Sequence, residues 1–230
     1  MRVPAEHLPL AEAGWDGPGR PRPVLYRQEG TATTSRSVDP HRWGAFLTAV
    51  FTEWLAHDVG TVHLQHVETM VGNLLGRYSL CVHAPECGRA PAVDHTGDVY
   101  SCDHYVEPGH RLGSCTDTSF TDLLSSPAQR DFGRAKRTAL PARCVSCPVR
   151  WACHGGCPKD RFTTTADGQP PLNHLCAGYS AFFSAAEPAA RAMAGLVSVG
   201  RPAADVMKPA WRARLARHTA TSPRAQGPHR

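Results

Sequence analysis

The first 80 residues contain no cysteine; all nine in the 230-residue chain lie at Cys81 or beyond. Any thiol-built centre is therefore confined to the later part of the sequence. Long hydrophobic runs are missing too. Nothing approaches the ~20 consecutive apolar residues of a transmembrane helix. The opening stretch, Met1-Arg2-Val3-Pro4-Ala5-Glu6-His7, lacks the apolar core of a secretory signal. These absences predict a cytoplasmic chain in a reducing compartment, where metal ligation is favoured over stable disulfides. The odd cysteine count argues against a closed disulfide framework as well. No internal repeat is present.

Surplus charge is also scarce over most of the chain. The formal net charge is +5, but residues 201–230 hold seven Lys/Arg against one acid, Asp205. That tail therefore carries +6 and the remaining body −1. A neutral body with a basic tail lacks the footprint of a nucleic-acid-binding domain. Rich in Ala, Pro and Arg, residues 201–230 are expected to be disordered and solvated.

Residues 1–36 are dense in Pro, Gly and polar residues, with one short apolar piece at Val24-Leu25-Tyr26, and read as loop or poorly ordered. Asp39-Pro40 then signals a helix start, acid as cap and proline in the first turn. Trp43, Phe46, Leu47, Val50, Phe51, Trp54 and Leu55 follow at helical spacing and form a wide apolar stripe. Left partly uncovered, that stripe predicts poor solubility. Gly60 fits a stop. Thr61 to Val67 alternates like a strand, and Glu68 to Leu75 reads as a short helix. Helix, strand, helix is the order of one α/β unit from a parallel fold, which alone cannot cover both faces of a sheet.

After Tyr78 the character changes. Ala90 to Val93 and Asp98 to Cys102 read as two strands joined by the turn Asp94-His95-Thr96-Gly97. Short helices are expected at Ser119 to Leu124 and from Ser126-Pro127 towards Lys136. A longer helix over about 178–199 should be kinked or split by Pro188.

The cysteines are spaced as an array. Cys81 and Cys87 precede the hairpin and Cys102 ends it; a knuckle follows, Cys144-x2-Cys147-x5-Cys153-x3-Cys157, and then Cys176. Four thiols within fourteen residues need a chemical reason. Spacing permits one local four-cysteine site in the knuckle, and zinc ribbons and iron–sulfur proteins both use such spacing. The knuckle alone favours zinc. Gly155 and Gly156 would let backbone N–H groups approach charged sulfur.

The upstream half changes the balance. Cys87-x9-Gly97-x4-Cys102, the knuckle and Cys176 together resemble the SPASM-type domain of radical S-adenosylmethionine (SAM) enzymes. Further stretches carry the likeness: Phe51-Thr52-Glu53-Trp54 through Asp58-Val59-Gly60, and Gly97-Asp98-Val99-Tyr100-Ser101-Cys102-Asp103-His104. Others are Trp151-Ala152-Cys153-His154-Gly155-Gly156-Cys157-Pro158-Lys159, Leu175-Cys176-Ala177-Gly178-Tyr179 and Gly200-Arg201-Pro202. Residues from about 36 to 207 resemble the C-terminal half of anaerobic sulfatase-maturating enzymes.

The resemblance implies a fold class of α/β plus irregular α+β. Residues 37–80 would be the last α/β unit of an incomplete radical SAM partial TIM-like barrel. Residues 81–200 would be a cysteine-rich SPASM domain with a β-hairpin and short helices. It implies two interleaved auxiliary [4Fe–4S] clusters, the first on Cys81, Cys87, Cys102 and Cys157 and the second on Cys144, Cys147, Cys153 and Cys176. Cys115 is left as a buried or free thiol. Asp103 would be the general base near the substrate, a role a carboxylate can fill, although an Asp at a strand end ordinarily caps or faces solvent. His104 and His154 read as packing or supporting groups.

The implied reaction oxidises a Cys or Ser of a sulfatase polypeptide to Cα-formylglycine, with SAM and a third [4Fe–4S] cluster in the full-length enzyme and an electron donor or acceptor protein as a further partner. No nucleic acid or membrane partner is expected. The C-x3-C-x2-C triplet that holds the SAM cluster does not occur in this sequence. The isolated chain is therefore expected to be inactive alone, as a truncated product or with a separate partner. A non-catalytic iron–sulfur module for docking or electron transfer, and a zinc-stabilised binding module, are the alternatives.

Overall fold

The computed structural model describes residues 2–13, 30–165, 168–209 and 211. At the N-terminus β1 (Arg2–Val3) pairs antiparallel with β2 (Ala32–Thr33), and α1 (Leu8–Ala13) lies between them in sequence. The loop expected over 1–36 thus contains regular structure at both ends; Val24-Leu25-Tyr26 lies outside the described residues.

Helix α2 (Pro40–His57) starts where its cap predicts: the Asp39 carboxylate accepts from the amides of His41 and Arg42 at 3.0 and 2.9 Å. Leu47, Phe51 and Trp54 on its apolar face are buried. They pack against α8 (Cys176–Ser198), which α3 (Gln65–Leu74) also meets, in one core with Val67, Met70, Phe182, Phe183 and Met193. Each such large side chain contributes ~1.5–3 kcal/mol through burial. Part of the predicted stripe does not join this core: Phe46 is 57% exposed and stacks on Trp43, ring centres 5.8 Å apart. The two long helices touch backbone to backbone, because a Cβ on Gly44 would lie 2.7 Å from the Cα of Gly178. Only glycine at both positions permits that approach.

Residues 61–67 do not form the expected strand. The amides of Thr61 and Val62 donate back to the Asp58 carbonyl, and the helix α3 begins at Gln65. Val67 and Met70, three apart, are both buried, which is helical spacing. No strand among the described residues pairs with this segment, and its first amides bond back to the end of α2. Instead the Val62 carbonyl accepts from the Trp54 indole at 2.8 Å. Residues 37–80 are two helices with no strand, and all strand pairs among the described residues are antiparallel. The expected α/β unit is not formed.

The second half is built from small pieces. Strands β3 (Ala92–Val93), β4 (Asp98–Tyr100) and β5 (Arg111–Ser114) make a three-stranded antiparallel sheet, so the predicted hairpin is joined by a third strand. Gly97 takes φ +87° in the turn. Short helices follow: α4 (Phe120–Leu124) capped by Ser119, α5 (Pro127–Thr138) capped by Ser126, α6 (Ala142–Val145) and α7 (Arg150–Cys153). A last antiparallel pair, β6 (Arg161–Thr163) and β7 (Leu172–Asn173), leads into α8. Pro188 does not split α8. Buried Phe182 and Phe183 before it, and Met193 and Leu196 after it, hold both halves on one core.

The stretch 201–208 is not the start of a disordered tail. Ala203–Met207 forms a 3-10 turn, Val206 is buried, and Asp205 pairs with Arg201 and Lys208. The basic residues beyond Trp211 lie outside the described residues. No helix of the described residues is long and apolar enough to cross a membrane.

Candidate metal centres

Local structure positions each cysteine. Cys81 opens a 3-10 turn, and Cys87 is tied to α5, its amide donating to the Gly133 carbonyl at 3.1 Å. The Gln129 side-chain amide on α5 donates to the carbonyls of Gly88 and Ser101 at 3.0 and 3.1 Å. It thereby clamps the residues next to Cys87 and Cys102 to one helix. Cys102 lies two residues past the end of β4, and Cys153 is the last residue of α7. Asn173 on β7 ties the two remaining pieces together. Its Nδ2 donates to the Cys157 carbonyl at 3.4 Å, and its Oδ1 accepts from the Leu175 amide at 2.9 Å, just before Cys176 opens α8.

The thiols fall into two groups. Cys144, Cys147, Cys153 and Cys176 line one cavity together with Arg143, Val149 and Asn173. Cys157, although only four residues past Cys153, does not line it. It interacts with Cys87 and Cys102, and Cys87 interacts with Cys81. A local four-cysteine knuckle, open on spacing alone, is thus not what the chain forms. Cys115 is an exposed thiol beside Gly97, apart from both groups.

Burial dominates the electrostatics of every thiol that departs from its ordinary value. It pushes Cys102 and Cys153 up to about 12 and Cys157 to about 11. Neighbouring thiols within each group push further in the same direction. Four crowded thiols in a desolvated site resist becoming thiolates unless a cationic centre binds them. Soft sulfur donors in fours suit an iron–sulfur cluster or zinc. The residues present therefore fit such a centre.

The knuckle backbone is shaped for sulfur. The Gly155 amide donates to the Cys153 sulfur, which favours its charged form. Gly155 and Gly156 have φ of +77° and +64°, and a Cβ on either would run into Arg161 or Asn173. Non-glycine His154 also sits at φ +48°, with burial pushing its imidazole down to about 4.

Asp103 and His104 occupy the exposed edge of the first group. The Cys102 thiol donates to the Asp103 carboxylate at 3.1 Å, and His104 Nδ1 lies 3.4 Å from the Cys157 sulfur. Ligand atoms of Cys102, Asp103 and His104 all lie within 4.8 Å of one another.

Two charged side chains beside the thiols carry no signal in the sequence. Lys136 is 1% exposed, and its ammonium donates to the carbonyls of Cys81 and Val82. Arg161 donates to the carbonyls of His154, Gly155 and Gly156. A lysine on a strongly polar helix reads as solvated, and only tertiary packing reveals it as buried.

Residues 86–148 match the family model of SPASM, an iron–sulfur cluster-binding domain. The chain is 39% identical over 171 residues to a serine-type anaerobic sulfatase-maturating enzyme of Bacteroides thetaiotaomicron, covering 74% of this chain and 41% of that protein. A cysteine-type anaerobic sulfatase-maturating enzyme of Clostridium perfringens is 28% identical over 167 residues, 71% of this chain and 44% of that protein. Among solved structures, native anSMEcpe with bound AdoMet superposes with a TM-score of 0.63 at 26% identity, over 73% of this chain and 46% of that one. The chain spans less than half the length of these relatives. Over about three quarters of its residues it resembles the C-terminal half of anaerobic sulfatase-maturating radical SAM enzymes, and it carries their SPASM iron–sulfur domain.

Proposed function

We propose that this chain holds two [4Fe–4S] clusters and acts as the auxiliary-cluster part of a sulfatase maturase, which oxidises a Cys or Ser of a sulfatase polypeptide to Cα-formylglycine. Cys81, Cys87, Cys102 and Cys157 hold the first cluster; Cys144, Cys147, Cys153 and Cys176 hold the second. The observation that carries the reading is the cavity bounded by four thiols from the knuckle and the start of α8. The clusters, when bound, supply one-electron redox chemistry that no protein side chain provides.

The chain's own residues do the positioning. Gln129 and Asn173 fix the segments that bear Cys87, Cys102, Cys157 and Cys176. Asp103 is exposed, so a substrate hydroxyl or thiol can reach it. Once Cys102 binds iron as a thiolate it no longer donates to Asp103. The carboxylate is then free to accept a substrate proton as general base. SAM and its own cluster belong to the full-length enzyme, and the substrate is a sulfatase. In the absence of SAM chemistry the same residues form a docking or electron-transfer module.

A zinc-stabilised module is the second reading, favoured by the mixed sulfur, oxygen and nitrogen donors of Cys102, Asp103 and His104. Anaerobic reconstitution with iron and sulfide separates the two. The cluster reading expects a brown chain whose visible absorption bleaches on reduction. A colourless chain that takes up zinc in preference contradicts it.

A further inference from the structure

Taking a cation out of water costs several kcal/mol unless an anion offsets it. Two cations in this fold, one buried and one half-buried, meet that cost through backbone carbonyls. Lys136 is buried, its ammonium hydrogen-bonded to the carbonyls of Cys81 and, at 2.9 Å, Val82. The Arg161 guanidinium donates to four carbonyls: Gly155 at 3.1 Å, Lys136 at 2.9 Å, His154 at 3.3 Å and Gly156 at 3.4 Å. Neither forms an ion pair with an acidic side chain among the described residues. The groups of potential negative charge that face them are thiols. Lys136 faces Cys87, Cys81 and Cys157; Arg161 faces Cys144, Cys87, Cys153 and Cys157, two from each group.

Resting on the two-cluster reading, we propose that buried Lys136 and half-buried Arg161 are the counter-cations of the two cluster sites, Lys136 serving the first and Arg161 standing between both. A fixed positive charge stabilises the more negative, reduced form of a cluster and so raises its reduction potential. Both are positioning residues. They touch the ligating segments through carbonyls and act on the clusters through the field. Arg161 also bonds the Lys136 carbonyl, so the two charges are held as one unit.

The test is an EPR-monitored redox titration of the full chain, reconstituted with iron and sulfide, as wild type, K136M, K136R and R161Q. The reduction equilibrium of one cluster in K136M is expected to fall by about tenfold, which is about 59 mV for a one-electron couple. K136R is expected to keep the wild-type value, and R161Q to lower both clusters. Where K136M fails to hold the first cluster, iron falling to about four per chain, the charge role still requires K136R to hold about eight. Wild-type potentials in K136M overturn the proposal. So does a K136R chain that shifts, or loses iron, as far as K136M. A wild-type chain without sulfide contradicts the two-cluster reading itself and overturns this proposal with it.

Discussion

The Cys102 thiol donates to the carboxylate of the next residue, Asp103, with Sγ 3.1 Å from Oδ1, at the exposed edge of a group of four cysteines. One residue is a candidate ligand and its neighbour a candidate base. The two roles predict different losses. D103N is expected to retain about eight irons per chain, whereas C102S loses about four. If the proposed base role holds, then in a full-length maturase that supplies the SAM half, D103N is expected to slow turnover about 10²–10⁴-fold, the range of general-base contributions. Iron loss in D103N equal to that in C102S would make Asp103 a ligand instead.

Membership of the two thiol groups predicts a pattern of non-additive losses. C144S and C176S, 32 positions apart in sequence, are expected to remove the same cluster, leaving about four irons in either single variant and in the double. C157S combined with C144S is expected to remove both. C115S leaves iron unchanged, because that thiol stands apart on the surface. Equal iron loss from C144S and from C157S combined with C144S would instead return Cys157 to a local knuckle.

The crossing of α2 and α8 predicts the cost of a single methyl. Gly44→Ala places a Cβ 2.7 Å from the Gly178 Cα, a backbone contact that cannot rotate away. Overpacking of this kind costs ~1–3 kcal/mol. For a chain of this size each kcal/mol lowers the melting temperature by about 2–4 °C. Thermal unfolding of the variant reads this directly, and an unchanged melting temperature contradicts the close approach.

The hairpin turn carries a pH signature. Asp94 accepts from the Thr96 hydroxyl and amide, the Asp98 amide and the Tyr100 hydroxyl, and the Thr96 hydroxyl leads the causes that hold its carboxyl down at about 2. An unfolded aspartate titrates near ~3.9. Because the folded value is the lower one, the stabilisation is complete above ~4 and disappears as pH falls through about 2. The difference in melting temperature between wild type and Asp94→Ala is therefore expected to be constant above pH ~5 and to shrink below pH ~4. A difference that grows on acidification contradicts that assignment.

Much of this molecule is legible in its sequence, but unevenly. The caps at Asp39, Ser119 and Ser126, the Gly97 turn and the long final helix all follow from local rules, because each is decided by neighbours in sequence. Residues 61–67 mislead: their alternation mimics a strand, while the burial of Val67 and Met70 against α8 selects a helix. Strand β5 carries too weak a pattern in Arg111-Leu112-Gly113-Ser114 and exists only because β4 offers an edge. The separation of Cys157 from its knuckle neighbours was implied by family resemblance and was undecided by spacing. Lys136 and Arg161 left no trace, since a charge withdrawn from solvent is a property of packing.

The two thiol groups are proposed to bind iron–sulfur clusters. Iron, acid-labile sulfide and zinc content per chain, measured after anaerobic purification and reconstitution, tests this proposal most directly. The account predicts about eight irons and eight sulfides per chain with zinc absent. One or two zincs per chain without sulfide would contradict it.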